Sequence, residues 1–302
     1  MSAVFSLDRL RALHLVATHG TVAAAAAVSH VTPPGVSQQL AKLERETGHQ
    51  LLEADGRGVR LTPAGEVLAG HAARILGDVA TARAELDALG SAVAGPLRVG
   101  SFSTAIMTFL PRALVSLRER HPRMRTTVLA GEAEEMLAGV RTGELDLAVV
   151  ESWEELPTVL PAGLTSVELL SDVADVALSV RHPLAERSVV DLDRLADTPW
   201  ASWTGDGVCH QFLVQTLRQR GFEPDIRCHV AGYPAQLALV AAGLVAALVP
   251  RLGRGPLPAG VRALATRPVL RRKVLVAHRS GEAVRPVVVA GVAALREAVA
   301  EL

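Results

Sequence analysis

Aromatic residues are scarce in this 302-residue chain, which holds five Phe, three Trp and a single Tyr. Alanine and arginine are abundant instead, a genome composition bias rather than a functional signal. The two cysteines, Cys209 and Cys228, make neither a disulfide framework nor a metal-ligand spacing, and they fit a reducing, cytosolic setting. The ten histidines are dispersed, without an HExxH spacing. Neither a Walker-type phosphate loop nor a GxGxxG turn is found. Cys209–His210 and Cys228–His229 are neighbours in sequence, and adjacent side chains on one helix or strand diverge, which works against a nucleophile–base contact. No catalytic residue, metal site or cofactor is therefore expected. Long apolar runs are missing too. Leu237 to Pro250 is interrupted by Gly243 and falls short of a bilayer span, so it reads as a buried helix followed by a buried strand. The first residues lack a basic segment leading into an apolar one, so no export signal is expected and the cytoplasm is the expected compartment. With 31 basic and 31 acidic residues the formal net charge is zero. That excludes a surface coated in basic charge but leaves room for a local basic patch.

What is present points to more than one domain. A chain of this length is expected to form about two to three units, and 49% apolar residues suffice for a sizeable core. Leu7, Leu10, Leu13, Val16 and Ala17 recur at helical spacing, and Gly20 fits a C-terminal cap. Thr21 fits the N-cap of a short alanine helix over 22–28. Small side chains there let a neighbouring helix approach closely. Thr32 followed by Pro33 is a second start signal. The helix it opens places Val36, Leu40 and Leu43 on one face and ends near Gly48, leaving Ser37, Gln38, Gln39 and Lys42 on the others. Two short helices joined by a tight turn, the second carrying Ser, Gln and Lys outward, form the pattern of a helix that enters the major groove. Gln pairs bidentately with adenine and Lys donates to guanine. The same polar residues would also serve on any solvated helix, so this segment alone leaves both readings open.

The following residues favour DNA. Leu51-Leu52-Glu53, a glycine-rich tip at Gly56-Arg57-Gly58, and Val59-Arg60-Leu61 read as a hairpin. On it, Arg57 and Arg60 would form a wing reaching phosphates. Thr62-Pro63 repeats the helix-start signal. The long helix that follows carries Leu68, Ala72, Ile75, Val79, Ala82, Leu86 and Leu89 in steps of four and three, a heptad seam. Such a stripe packs either on its own domain or on a second copy. The second copy is the favoured reading, because a helix-turn-helix normally reads two half-sites.

The block Leu10-Arg11-Ala12-Leu13, Gly20-Thr21, Ala25-Ala26, Val31 to Leu40, Leu43-Glu44, Gly48, Leu51-Leu52, Arg57 and Leu61-Thr62-Pro63-Ala64-Gly65 is similar throughout to the LysR-type transcriptional regulators. The resemblance covers the whole chain, more weakly after residue 100. It implies an α/β protein with an N-terminal all-α winged helix-turn-helix (1–63), a dimerising linker helix (64–92) and a bilobal, periplasmic-binding-protein-like effector domain (93–302). Lobe I would take about 96–162 and 266–302, and lobe II about 163–265. By position, Thr32, Pro34, Ser37, Gln38, Gln39 and Lys42 fall on the DNA-reading helix, with Arg57 and Arg60 on the wing. Some departures stand out: Ala12, Leu13 and Val22 replace frequent aromatics, Ala24 replaces a frequent basic residue, and Gly35 replaces an alanine at a helix-propensity cost of roughly 1 kcal/mol.

After Gly95-Pro96, strands alternate with helices: strands at 97–100, 125–129 and 145–150, helices at 109–120 and 134–141. The alternation argues for an α/β domain with a largely parallel sheet. Arg141 to Ala148 and Ala241 to Pro250 resemble effector-domain motifs of the same family, with Val245 in place of a common glycine. Ligands in open α/β sheets bind beyond the carboxyl ends of strands, near helix starts. That selects Ser101, Ser103 and Thr104, then Trp203 and Thr204 with Cys209 on the next helix, and Tyr233. Glu132 and Glu151 are candidates to face the same cleft, where a negative ring would favour cationic or hydroxylated ligands. Helix capping by the hydroxyls and ordinary packing of the aromatics are the competing explanations.

The expected protein is a sequence-specific DNA-binding transcription regulator responding to a small-molecule effector held between two α/β lobes. Its expected partners are double-stranded DNA, an effector of unknown identity, and a second copy in a dimer. By the resemblance alone the assembly is a tetramer, and RNA polymerase is a candidate contact. No membrane role is expected. The alternatives are a free-standing solute-binding protein, which would lack the first ninety residues, and an enzyme on the same bilobal fold, which would need a catalytic pair across the cleft.

Overall fold

Leu10, Leu13 and Val16 are buried on one side of α1 (Leu7–His19), which ends at Gly20 in the left-handed region (φ 73°), its N–H bonded to Val16 O. In the computed structural model, which describes residues 5–29, 31–55, 58–88, 93–205 and 207–302, the chain divides into two compact units. The first holds residues 1–91 with the short segment 142–144, and the second the remainder. In the first unit α2 (Val22–Ser29) follows, started by Thr21, whose hydroxyl accepts from Ala24 N–H at 3.1 Å. α3 (Pro33–Thr47) is capped in the same way by Thr32, which accepts from Gly35 N–H. The expected caps are thus seen, and Ala25 and Ala26, both buried, let α2 sit close to its neighbours. A Cβ on Gly35 would lie 2.8 Å from Val31 Cγ1, so the glycine relieves a crowded turn and offsets part of its propensity cost.

The wing is the antiparallel pair β1 (Leu52–Asp55) and β2 (Gly58–Leu61), Leu52 facing Leu61. Glu44 on α3 accepts from the N–H groups of Leu51 and Leu52, at 2.8 and 3.3 Å, tying the helix to the wing. α4 (Pro63–Ala88) starts at Thr62, whose hydroxyl donates to Gln50 O and accepts from Gly65 N–H. A Cβ on Gly65 would sit 2.1 Å from Leu51 O, so only glycine lets α4 cross the root of the wing. The seam needs correcting here. Ala72 is completely buried and Leu68 packs beside it in the unit's own core with Leu10 and Leu13, because α4 lies along α1. Ile75, Val79 and Ala82 are exposed. The side chain of Leu86 and the whole of Leu89 lie outside the described residues, as does Arg57.

The second unit runs β3 (Gly95–Ser101), α5 (Ser103–Met107), α6 (Leu110–Arg120), β4 (Met124–Ala130), α7 (Ala133–Thr142), β5 (Leu147–Trp153), β6 (Leu164–Ser179) and β7 (Val189–Asp191). It continues with β8 (Trp200–Ser202), α8 (Val208–Arg218), β9 (Ile226–His229), α9 (Tyr233–Ala241), β10 (Ala247–Pro250), β11 (Val261–Arg267), β12 (Leu270–Arg279) and α10 (Pro286–Ala300). The main sheet has the order β4-β3-β5-β12-β6-β11-β7, with β10 also on β6. β3, β4 and β5 are parallel as expected, but β12 runs antiparallel to both β5 and β6, and β10 and β11 antiparallel to β6. The sheet is therefore mixed. The cause is β6, one long strand that pairs with β12 over 164–174 and with β10 and β11 over 174–179. It passes between two cores, one around Leu97, Phe109 and Leu295, the other around Trp200, Phe212 and Leu217.

A buried carboxylate fixes the turn between α7 and β5. Asp146 is fully buried, accepts from Arg98 N–H at 2.7 Å and pairs with Arg98 Nε at 3.1 Å and Arg285 Nη1 at 2.7 Å. Burial pushes its pKa up, but the hydrogen bond and charge of Arg98 and the charge of Arg285 outweigh that, and the net shift is downward. A carboxylate depressed in the folded state stabilises fully above its unfolded value and loses that contribution as pH falls through its folded value. Asp146→Ala, which leaves buried Arg285 without this partner, is expected to cost about 3–5 kcal/mol. In thermal unfolding, the deficit of Asp146→Asn against the parent should shrink as pH drops below about 4.

Candidate effector cleft and DNA-contacting face

On α3 the apolar face of Val36, Leu40 and Leu43 is buried, which turns the opposite face outward. Thr32, Pro34, Ser37, Gln38 and Lys42 are exposed, and Gln39 is half-buried. Thr32 spends its hydroxyl on the cap, so its contact to DNA would be made alongside that role. On the wing, Arg60 is exposed and pairs with Glu53 at 3.0 Å, a solvent-screened contact that is readily given up to a phosphate. Ala24 leaves α2 without a cation at its outer face, so the polar and basic groups of α3 and the wing dominate this surface.

In the second unit the expected effector residues do not all converge. Ser101 is buried and its hydroxyl donates to Phe102 O at 3.3 Å, whereas Ser103 and Thr204 are exposed. Neither serine caps α5. Thr104 is buried against the turn after β10, where a Cβ on Gly253 would lie 2.7 Å from its methyl. Trp203 and Tyr233 meet edge to face, with centroids 5.4 Å apart. Together with Cys209, Trp153, Ser202 and Phe212 they line a cavity of about 20 Å³, the size of a single water. The indole N–H groups of Trp153 and Trp203 are buried without an acceptor.

Beneath the cavity lies a group the sequence reading missed. Arg272 on β12 is buried, bonds bidentately to Asp172 Oδ2 through Nε (3.0 Å) and Nη2 (2.8 Å), and donates to Glu151 through Nη1. Its guanidinium carbon is 5.5 Å from the ring centroids of both Phe102 and Trp153, so cation–π attraction adds to the ion pairs. Burial works against the charged form, but the carboxylates of Glu151 and Asp172 outweigh it and hold Arg272 protonated. The signal was period two: Leu270, Val274 and Val276 point inward on β12, and Arg272 shares their face. Asp172, on β6, carried no comparable signal.

Glu151 links this centre to α8. Cys209 Sγ donates to its Oε1 at 3.1 Å, and burial, then Glu151, push the Cys209 thiol well up from its ordinary value. Glu132, just before α7, stands beside the start of α8, where a Cβ on Gly207 would lie 3.2 Å from its Oε2. Partial burial, then Glu151 and Glu135, raise its pKa.

Arg272→Met leaves two buried carboxylates without their cation and is expected to destabilise the second unit by about 3–5 kcal/mol, read by chemical denaturation. Because the Cys209 thiol is held protonated, iodoacetamide at pH 8 should alkylate it far more slowly in the native protein than in the denatured chain, measured by mass spectrometry. Equal rates would contradict the Glu151 contact.

The description of the bacterial regulatory helix-turn-helix protein, lysR family, matches residues 7–66, and that of the LysR substrate binding domain matches residues 90–300. The chain is 30% identical over 257 residues to the HTH-type transcriptional activator IlvY of Salmonella typhimurium, covering 84% of this chain and 82% of that one. It is 32% identical over 247 residues to a probable hydrogen peroxide-inducible genes activator of Mycobacterium avium, covering 80% and 72%. A solved full-length OxyR variant from Pseudomonas aeruginosa shares the fold, with a TM-score of 0.75 at 24% identity, covering 98% of this chain and 95% of that one. Among the described residues no helix is long and apolar enough to cross a membrane. Matched in both its parts, the chain belongs to the LysR family of bacterial transcriptional regulators.

Proposed function

We propose that this regulator acts in the cytoplasm by binding rather than by catalysis. Residues 1–63 read DNA, 64–92 pair two copies, and 93–302 hold a small effector between lobes of about 96–162 with 266–302, and 163–265. The observation that carries the DNA reading is the division of α3, whose Val36, Leu40 and Leu43 are buried while Ser37, Gln38 and Lys42 face outward. Gln38, Ser37 and Lys42 are the candidates for base edges, and Arg57 and Arg60 for phosphates. Pairing uses the exposed end of the stripe, Ile75, Val79 and Ala82, since Leu68 and Ala72 are taken by the unit's own core. Two recognition helices then meet an inverted repeat, and dimers assemble into a tetramer. The effector shifts the balance between assembly shapes by binding one better than the other.

Fluorescence anisotropy on the gene's own upstream DNA, against a shuffled duplex and over a salt series, tests this. Gln38→Ala should relax sequence preference, costing about 1–3 kcal/mol at the base pair it reads. Arg57→Ala should weaken binding to all sequences alike and flatten the salt slope by about 1 per subunit. Wild-type behaviour in both variants would contradict the assignment. Val79→Glu should give monomers in light scattering and lower DNA affinity by about 100-fold or more; an intact dimer would move the seam elsewhere.

A further inference from the structure

We infer that His210 and His229 form a surface site for a divalent transition-metal ion of the nickel, copper and zinc class. The pair is assembled by the fold rather than by sequence spacing. β8 and β9 run parallel, and their register sets Ser202 beside His229. α8 starts shortly after β8, and its first turn carries His210. The Ser202 hydroxyl, 2% exposed, meets Nδ1 of His210 at 2.9 Å. The ring centres of His210 and His229 are 5.8 Å apart, and the rings are tilted by 39° rather than stacked. His210 is half-buried and His229 exposed, so an ion reaches the pair from solvent.

The ring nitrogens decide what the pair binds. The tautomer of His210 that donates from Nδ1 to Ser202 leaves a lone pair on Nε2, which has no partner among the described residues. A metal-bound imidazole commonly donates its second N–H to an oxygen in this way, which fixes the tautomer and the ring orientation. The His229 ring makes no hydrogen bond among the described residues. Two imidazoles that share one tetrahedral ion, each through a nitrogen at about 2.0–2.1 Å, hold their ring centres roughly 5 Å apart. A small turn of the exposed His229 ring closes the remaining gap. Imidazole suits nickel, copper and zinc, whereas magnesium and calcium prefer sets of oxygen ligands. Among the described residues no group of three or more histidines, cysteines and carboxylates is placed to hold an ion, so water fills the other positions and the affinity is modest. Ser202 and Cys209 line the small cavity, and the two histidines do not. The ion therefore sits beside that cavity and ties the start of α8 to β9.

Titration calorimetry of Ni²⁺ into the tag-free, full-length protein, after treatment with a chelator and with Mg²⁺ as the control ion, tests this. One Ni²⁺ per chain is expected, with no response to Mg²⁺. His229→Asn should weaken Ni²⁺ binding about tenfold or more, because the ion loses one of two linked ligands. His210→Asn should do the same, and the double variant should lose little more than either single, as expected for two groups on one ion. His19→Asn, at an exposed position on α1, is the matched control and should bind as the parent does. Urea unfolding of each variant in metal-free buffer separates loss of the site from loss of the fold. Should His210→Asn misfold for want of its Ser202 contact, His229→Asn alone decides. No Ni²⁺ binding to the parent at about 0.1 mM, parent-like binding by His229→Asn, or an equal loss in His19→Asn would each overturn the inference.

Discussion

A single buried guanidinium organises the second unit. Arg272 reaches carboxylates on the strands to either side of its own, Glu151 on β5 and Asp172 on β6. It therefore clamps three neighbouring strands where the sheet passes from one lobe to the other. A buried charge is tolerable only when paired and hydrogen-bonded, and each nitrogen of Arg272 has a partner. Phe102 and Trp153 exclude water from its faces. The cleft residues inherit their positions from this centre: Cys209 is held through Glu151, and Phe212 stacks on Trp153 with ring centroids 3.7 Å apart.

The first unit rests on a different principle, close approach of backbone. Ala25 and Ala26 let α2 nestle between α1 and α3, and Gly65 lets α4 pass over Leu51. Neither contact depends on charge. The inner face of α3 is packed into a small core, and Glu44 ties the helix to the wing.

Much of this was legible because it is written locally. Thr21, Thr32 and Thr62 announce helix starts, Gly20 and Gly48 announce ends, and the Val36–Leu40–Leu43 stripe says which face of α3 is free. Cys209, Trp203 and Tyr233, chosen because they open helices or follow short strands, line one small cavity. What escaped depends on partners far away in sequence. β6 has no single period, since its first half lies in one environment and its second in another. Arg272, within the run Arg271-Arg272-Lys273, looks like surface charge until β12 is known to be flanked on both sides. The stripe on α4 reads as one seam, yet α1 claims its beginning, a choice that heptad spacing alone does not record.

Because β6 is continuous from one lobe to the other, any change in the angle between them has to bend this strand. The ladder of β6 with β12, β10 and β11 is made by backbone, whereas the contact of Cys209 with Glu151 is made by side chains alone. A ligand with only a tenfold preference for one state, worth about 1.4 kcal/mol, is then enough to redistribute the two populations when they start near balance.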